Sequence, residues 1–307
     1  MVRGFLGLVV SKMNNSKGYL FGLLGVAGFS MTLPATRVAV STIDPTVVGL
    51  GRALCAAVLA AIVLKAYRQP IPPRRYWFQI AIVAAGGVVG FPVLTSYAMK
   101  HTAASHGAVL LGVLPVATAC FAVLFCRERP SSLFWLSALT GSSLVISYAL
   151  HNGQGGFVLP DVALLMAVVS AGMAYAIGAQ LAQHIGSWQV ICWALILAFP
   201  FLLPPVAYRI IQTGFHPSWH STVGLAYVSV VSMFLAFFAW YRGLSIGGIA
   251  KVGLLQLLQP FLTIGFSHLI LGEAIDELGI VVACLVAMFV FMAIRSRVRI
   301  AVAAASS

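Results

Sequence analysis

Runs of about twenty apolar residues, the length that carries an α-helix across the hydrocarbon core of a bilayer, follow one another along almost the whole of this chain. The runs are continuous in Leu, Val, Ile, Ala, Gly and Phe rather than alternating, which favours helices over an outer-membrane barrel. Composition agrees. Of the 307 residues 61% are hydrophobic and 8% charged, with a mean hydropathy of +1.02, whereas a soluble domain carries about 25% charged residues. A water-soluble globule is excluded, and no stretch is left over for a separate soluble domain. The expected class is an all-α integral membrane protein.

Apolar windows bounded by charge, Pro or Gly predict ten transmembrane helices, over 19–41, 46–66, 76–98, 103–126, 132–150, 161–184, 188–211, 220–242, 248–271 and 277–295. The formal net charge of +12 would suggest nucleic acid for a soluble protein, but here the cations sort by membrane side, and no nucleic-acid partner is expected. With the N-terminus cytoplasmic, Lys65, Arg68, Arg74, Arg75, Arg127, Arg129, Arg242, Arg295 and the terminal cations all fall inside, and only Lys100 and Arg209 fall in outer loops. Retention of basic loops in the cytoplasm then puts both the N- and C-termini inside, and the chain is expected in the cell inner (plasma) membrane. Cys55, Cys120, Cys126, Cys192 and Cys284 lie in apolar stretches without C-x-x-C spacing, so neither a disulfide framework nor a metal site is expected, and no cofactor. The Phe5–Val10 run is too short for a signal-peptide core, so the N-terminus is expected to be retained.

The chain also repeats itself. An offset of 145 residues superposes Pro115 on Pro260, Glu128 on Glu273, Leu110 on Leu255, Thr118 on Thr263 and Leu124 on Leu269, and a one-residue gap sets Tyr97 against Tyr241. Five spans per copy is an odd number, so the second copy must enter from the opposite side, giving two inverted five-helix repeats, an architecture of secondary carriers. The expected layout is a cytoplasmic segment 1–17, a first repeat 18–150, a second, inverted repeat 160–297 and a tail 298–307.

Paired prolines in the fourth span of each half, an acid ending that span in both (Glu128, Glu273), a short third-to-fourth connection, and Asp44-Pro45 ahead of Arg52 together resemble the drug/metabolite transporter superfamily with two EamA-type repeats. Within it the pattern is most similar to the aromatic amino-acid exporters known as YddG. Gly28-Phe29 departs from the Trp-Gly common in that span of many relatives. The resemblance implies export of amino acids, aromatic and other neutral ones.

A polar stripe at helical spacing marks the face a membrane helix turns towards protein or a water-filled path. Gln256, Gln259, Thr263 and Ser267, spaced by three, four and four, form the sharpest one, and Pro260 beside them frees the carbonyl of Gln256. Pro115 does the same to Leu111, and Pro34 kinks the first span near Thr32, so Pro34, Pro115 and Pro260 are candidate hinges. Ser229, Ser232, Ala236, Trp240 and Gly243 share one face of the eighth span; Phe234, Phe238 and Tyr241 share another. A substrate ring would stack on Tyr97, Tyr175 and Trp240 while its polar end meets Gln256, Gln259, Thr263, Ser232 and Thr32. Two other uses stand beside this one: hydrogen bonding between helices for the polar groups, and an interfacial belt for Tyr97 and Trp240. Arg37, Arg52 and Lys251 either snorkel to the surface, attract a carboxylate substrate or pair with Asp44. The glycines of the third span fit close helix packing.

The reading that follows is a secondary transporter moving a small molecule, an amino acid, by alternating access around a central cavity, with the lipid bilayer as surroundings and peripheral fifth and tenth spans that would support a homodimer. An exporter of drugs or other small metabolites is the alternative within the class. A membrane-embedded enzyme would need a nucleophile and base or a metal set; the chain has no HExxH and only six acids. A membrane scaffold is the third reading.

Overall fold

A computed structural model describes residues 17–126, 128–129, 131–152, 158–275, 277–295 and 299–300. Those residues are helical apart from turns, connections and one two-residue antiparallel pairing. In order the helices are α1 (Lys17–Ala39), α2 (Pro45–Ala66), α3 (Arg74–His101), α4 (Ala104–Phe125), α5 (Ser132–Asn152), α6 (Leu159–Ile185), α7 (Ser187–Thr213) and α8 (Trp219–Gly247). Then come α9, in the pieces Ile249–Gly253, Leu254–Leu258 and Gln259–Leu271, and α10 (Glu277–Arg295). Among the described residues seven, α1 to α4 and α6 to α8, are long and apolar enough to cross a membrane, and α9 and α10 add the shorter apolar stretches Leu255–Leu271 and Glu277–Phe289. Glu128–Arg129 pairs with Arg299–Ile300, joining the α4–α5 connection to part of the segment expected as a tail. Asp276 and residues 1–16 lie outside the described residues, as do the side chains of Glu128 and Lys251.

Helices suit this chain because lipid offers backbone N–H and C=O groups no partner, so each span must satisfy its own. The sequence also marks the ends. Asp44 Oδ1 accepts the N–H of Thr46 at 2.8 Å and that of Val47 at 3.4 Å, and Pro45 opens α2 without a donor to waste. Gly272, at φ 63°, closes α9 by donating its N–H to the His268 carbonyl. Large apolar side chains stand outward all round, Leu20, Ile62, Leu124, Phe201, Ile211 and Leu269 among them. Such a surface is compatible with lipid and not with water.

Neighbouring helices alternate in direction, so the bundle has two ends. One carries Arg37, Asp44, Lys100, Asp161, Arg209 and Glu273, and is called the Glu273 end; the other carries Gly18, Lys65, Arg68, Arg242 and Gly247, and is called the Gly18 end. α2 packs on α7, α5 on α10 and the first part of α4 on α9, while α6 lies against α3, α4 and α8. α3 and α6 come close because Gly86 has no side chain: a Cβ there would collide with the carbonyl of Ser170. That is the packing use expected of the third-span glycines.

Five helices are interrupted along their length. In α4 the N–H groups of Gly112 and Val113 bond three residues back, to Val109 and Leu110, before the helix restarts at Leu114 ahead of Pro115. In α9 the tight turn Leu254–Leu258 precedes Gln259 and Pro260. The two breaks meet, because a Cβ on Gly112 would lie 3.6 Å from Cγ of Pro260. In α3 and α8 the interruption is a widened turn of the π type, over Ala84–Gly90 and Val228–Leu235. Pro92 gives a cause for the first, since it leaves the carbonyl of Val88 without its α-helical donor. Nothing in the second accounts for its widening. α1 turns at Met31 and resumes at Thr32, with Pro34 inside its next turn.

Candidate functional site

The interruptions of α1, α3, α8 and α9 meet at one small void, walled by Phe29, Thr32, Arg52, Gly87, Phe91, Ala171, Tyr175, Ser232, Phe237 and Gln259, from α1, α2, α3, α6, α8 and α9. Thr32 follows the turn in α1, Gly87 and Ser232 sit within the two wide turns, and Gln259 follows the tight turn of α9. Backbone irregularity at membrane depth is tolerated where it is buried in protein or lines a cavity, and here it does both. The void measures ≈ 10 Å³, roughly the room of one water. Sites that hold small molecules run to about 300–1,000 Å³, so the helices are drawn together around a centre that must widen to admit anything larger.

Arg52 sits in the eighth position of α2, about 10 Å along the helix from its start at 1.5 Å per residue. It is 1% exposed, and its Nε and Nη1 have no hydrogen-bond partner. Burial of a guanidinium in a membrane helix costs about 2.5–3.5 kcal/mol on insertion scales. The snorkelling expected of Arg52 is therefore not what the chain does: the side chain points at the void. Asp44, the acid nearest in sequence, is engaged instead by Arg209, Oδ2 to Nη2 at 3.4 Å.

Beside the guanidinium lie rings. Phe29 stacks on Tyr175 and meets Phe237 and Trp240 edge-on, and Tyr175 meets Phe237 and Trp240 likewise, with centroids 5.1–6.1 Å apart. Trp240 is wholly buried behind the void, and its indole N–H has no partner. Across the void the hydroxyls of Thr32 and Ser232 share a 2.8 Å hydrogen bond, tying α1 to α8.

The polar stripe of α9 faces inward along its length. Gln256, Gln259, Thr263 and Ser267 are all buried, Gln259 lines the void, and neither side-chain polar atom of Gln256 has a partner. Thr263 donates at 2.8 Å to the carbonyl of Ser30, which is the group left without its helical donor by Pro34, four residues on. Thr32, Tyr175, Ser232 and Gln259 thus come together on the void, Trp240 backs it, and Gln256 and Thr263 lie further along α9. Tyr97 is apart from them, tilted on His101 at the Glu273 end with centroids 4.9 Å apart. Sequence reasoning missed Phe29, Arg52, Gly87, Phe91, Ala171 and Phe237 as one lining. Among the described residues no group of three His, Cys, Asp or Glu converges to hold a metal.

Both ends are shut over this centre. At the Glu273 end, Arg37 donates to the carbonyls of Met99 and Thr102 and faces Glu273, Lys100 donates to the Val40 carbonyl at 2.9 Å, and Ser41, Thr42, Ser218 and Ser221 link α1 to α8. At the Gly18 end, α1 and α8 touch backbone to backbone: Cβ atoms on Gly18, Gly25 or Gly243 would strike the main chain of Gly247, Trp240 or Gly22.

A bundle of apolar helices, broken where polar and aromatic groups gather at its centre, has the form of a membrane transporter. The comparisons agree. The chain belongs to the EamA-like transporter family, whose model matches residues 16–147 and again 158–295. It is 44% identical over 266 residues to the uncharacterized transporter YdeK of Bacillus subtilis (strain 168), covering 85% of this chain and 91% of the relative. It is 25% identical over 274 residues to a probable terminal-alkyne amino-acid exporter of Streptantibioticus cattleyicolor, covering 88% and 90%. One solved crystal structure, 15% identical, superposes with a TM-score of 0.65 over 91% of this chain and 96% of the other, a likeness of fold.

Proposed function

We propose that the protein is a secondary exporter of amino acids, aromatic and other neutral ones, working in the inner membrane by alternating access around the central void. The observation that carries this is the meeting of four interrupted helices at a buried set of polar groups, Arg52, Gln259, Thr32 and Ser232, against the clustered rings of Phe29, Tyr175 and Phe237. The rings offer an apolar seat for a side chain and the polar groups offer partners for its charged end. One relative of similar length is a probable amino-acid exporter by name, which favours this substrate class over drugs. An unpaired arginine on the lining also disfavours cationic drugs.

The architecture we propose is ten spans in two oppositely inserted copies, residues 18–150 and 160–297. Helix starts recur 145 residues apart, Arg74 with Trp219, Ala104 with Ile249 and Ser132 with Glu277. The wide turns recur at nearly the same offset, Ala84–Gly90 and Val228–Leu235. α2 on α7, α4 on α9 and α5 on α10 each pair a helix with its own counterpart, as expected around a two-fold axis lying in the membrane plane. The basic Gly18 end would face the cytoplasm with both termini, and Pro34, Pro115 and Pro260 would serve as pivots. The exposed apolar faces of α5 and α10 are where a homodimer would form.

Uptake of labelled Phe, Tyr or Trp into liposomes carrying the purified protein tests the reading. Wild-type protein should move at least one of them, and Gln259→Leu should slow the initial rate about tenfold, the cost of one lost polar contact to a buried ligand, with an unchanged helical circular-dichroism spectrum. Wild-type protein that moves none of the three overturns it.

A further inference from the structure

We propose that the central void is an anion site, with Arg52 as the anchor for a substrate carboxylate and no counter-charge for a substrate ammonium, so that the protein recognises aromatic carboxylates with or without an amino group. The inference rests on the transporter reading and narrows what the site selects.

Three observations meet in it. Arg52 is buried to 1% exposure, lines the void, and keeps Nε and Nη1 unpartnered. A desolvated cation without a partner is unfavourable by several kcal/mol, and a guanidinium is a planar fork of donors matched to carboxylate oxygens. The acids that might have neutralised it are engaged elsewhere. Asp44 caps α2 and faces Arg209, Asp161 bonds His106 with Oδ1 2.7 Å from Nε2, and Glu273 faces Arg37 while accepting backbone N–H groups. Glu277 is exposed at the start of α10. Among the described residues, then, the void carries one cation and no carboxylate.

The rest of the lining divides the ligand. Gln259, Thr32 and Ser232 are neutral hydrogen-bonding groups, able to take up the remaining carboxylate lone pairs or an amino group without rewarding its charge. Phe29, Phe91, Tyr175 and Phe237 form an apolar wall suited to a ring. Charge is thus read at one end of the ligand and shape at the other. An amine without a carboxylate would bring a second cation beside Arg52, and like charges in a desolvated site repel strongly.

The test is binding to the detergent-solubilised full chain, by thermal stabilisation and by titration, with L-Phe, 3-phenylpropionate and phenethylamine. These share a phenyl ring on a two-carbon arm and differ only in their charged groups. The expected result is stabilisation by L-Phe and by 3-phenylpropionate and none by phenethylamine. Arg52→Gln should weaken both carboxylates about tenfold or more, with Arg52→Lys keeping part of the affinity as a point charge. Phenethylamine binding as tightly as 3-phenylpropionate, or undiminished carboxylate binding by Arg52→Gln, overturns the proposal. If Arg52→Gln fails to fold, the comparison of the three compounds on wild-type protein still decides. Binding and transport of L-Phe untouched by Arg52→Gln would sink the anion site and leave the exporter reading standing. Binding of 3-phenylpropionate without L-Phe would do the reverse, and binding of none removes both.

Discussion

Nε of Arg37, on α1, stands 3.7 Å from Oε1 of Glu273, in the connection between α9 and α10, and that same carboxylate accepts the N–H groups of Ala104 and Ser105 at 2.9 Å each. One side chain therefore caps the start of α4 and faces α1 at once. Gly272 makes this possible: its positive φ ends α9 and turns the chain so that Glu273 faces back across the bundle.

Glu273→Ala should open the Glu273 end. The ion pair contributes little, since Arg37 is about a third exposed and such pairs are worth at most about 1 kcal/mol. The two amide bonds at a helix start matter more, about 1 kcal/mol for a cap of this kind. In a cysteine-free background, a cysteine replacing Thr32 should react several times faster with a polar thiol reagent when Glu273 is Ala. An unchanged rate would mean that this contact does not hold the end shut.

Thr263→Val should lower stability in detergent by about 1–2 kcal/mol by leaving the Ser30 carbonyl without a donor. Pro34→Ala restores the helical N–H four residues on. The double variant should then lose less than the two single losses added, a coupling of about 1 kcal/mol in a double-mutant cycle on thermal unfolding. Additive losses would separate the proline from the threonine.

Two glycines in apolar helices should respond oppositely to Ala. Gly86→Ala drives a methyl into the Ser170 carbonyl and should cost about 1–3 kcal/mol. Gly265→Ala meets nothing within 4 Å and should gain up to about 1 kcal/mol from helix propensity. Melting temperatures of the two variants check the pair of signs.

His106→Leu strands the buried Asp161 carboxylate, which is 0% exposed and has only Oδ1 bonded. Breaking a buried pair by removing one partner costs about 3–5 kcal/mol. Adding Asp161→Leu should recover part of that loss. A single variant as stable as wild type would show that water reaches the carboxylate.

Much of this arrangement is legible in the sequence, and the parts that are not have physical causes. The inward face of α9 is legible because Gln256 sits within the tight turn and Gln259, Thr263 and Ser267 follow it, all four on the buried side. The α8 face is not. Straight helical spacing carries the line of Ser232 on to Ala236 and Trp240, but the wide turn Val228–Leu235 inserts part of an extra residue. The face shared with Ser232 therefore resumes at Phe237, which lines the void in place of Ala236. No residue between 228 and 235 announces that turn. Depth along α2 is visible in the sequence, but the direction of Arg52 is not, because nothing in one helix says which side another will cover. Phe29, where the family pattern falters, lies at the middle of the ring cluster.

The bare contact between α1 and α8 at the Gly18 end has a mechanical meaning. Helices held by interlocking side chains must ratchet, since each knob has to be lifted from its hole before the next position is reached. Gly18, Gly22, Gly243 and Gly247 let the two backbones meet there without knobs of their own, with Val252 and Leu255 of α9 seated on Gly22 and Val252 on Gly247, so a roll of these two rods would be geared by α9 alone.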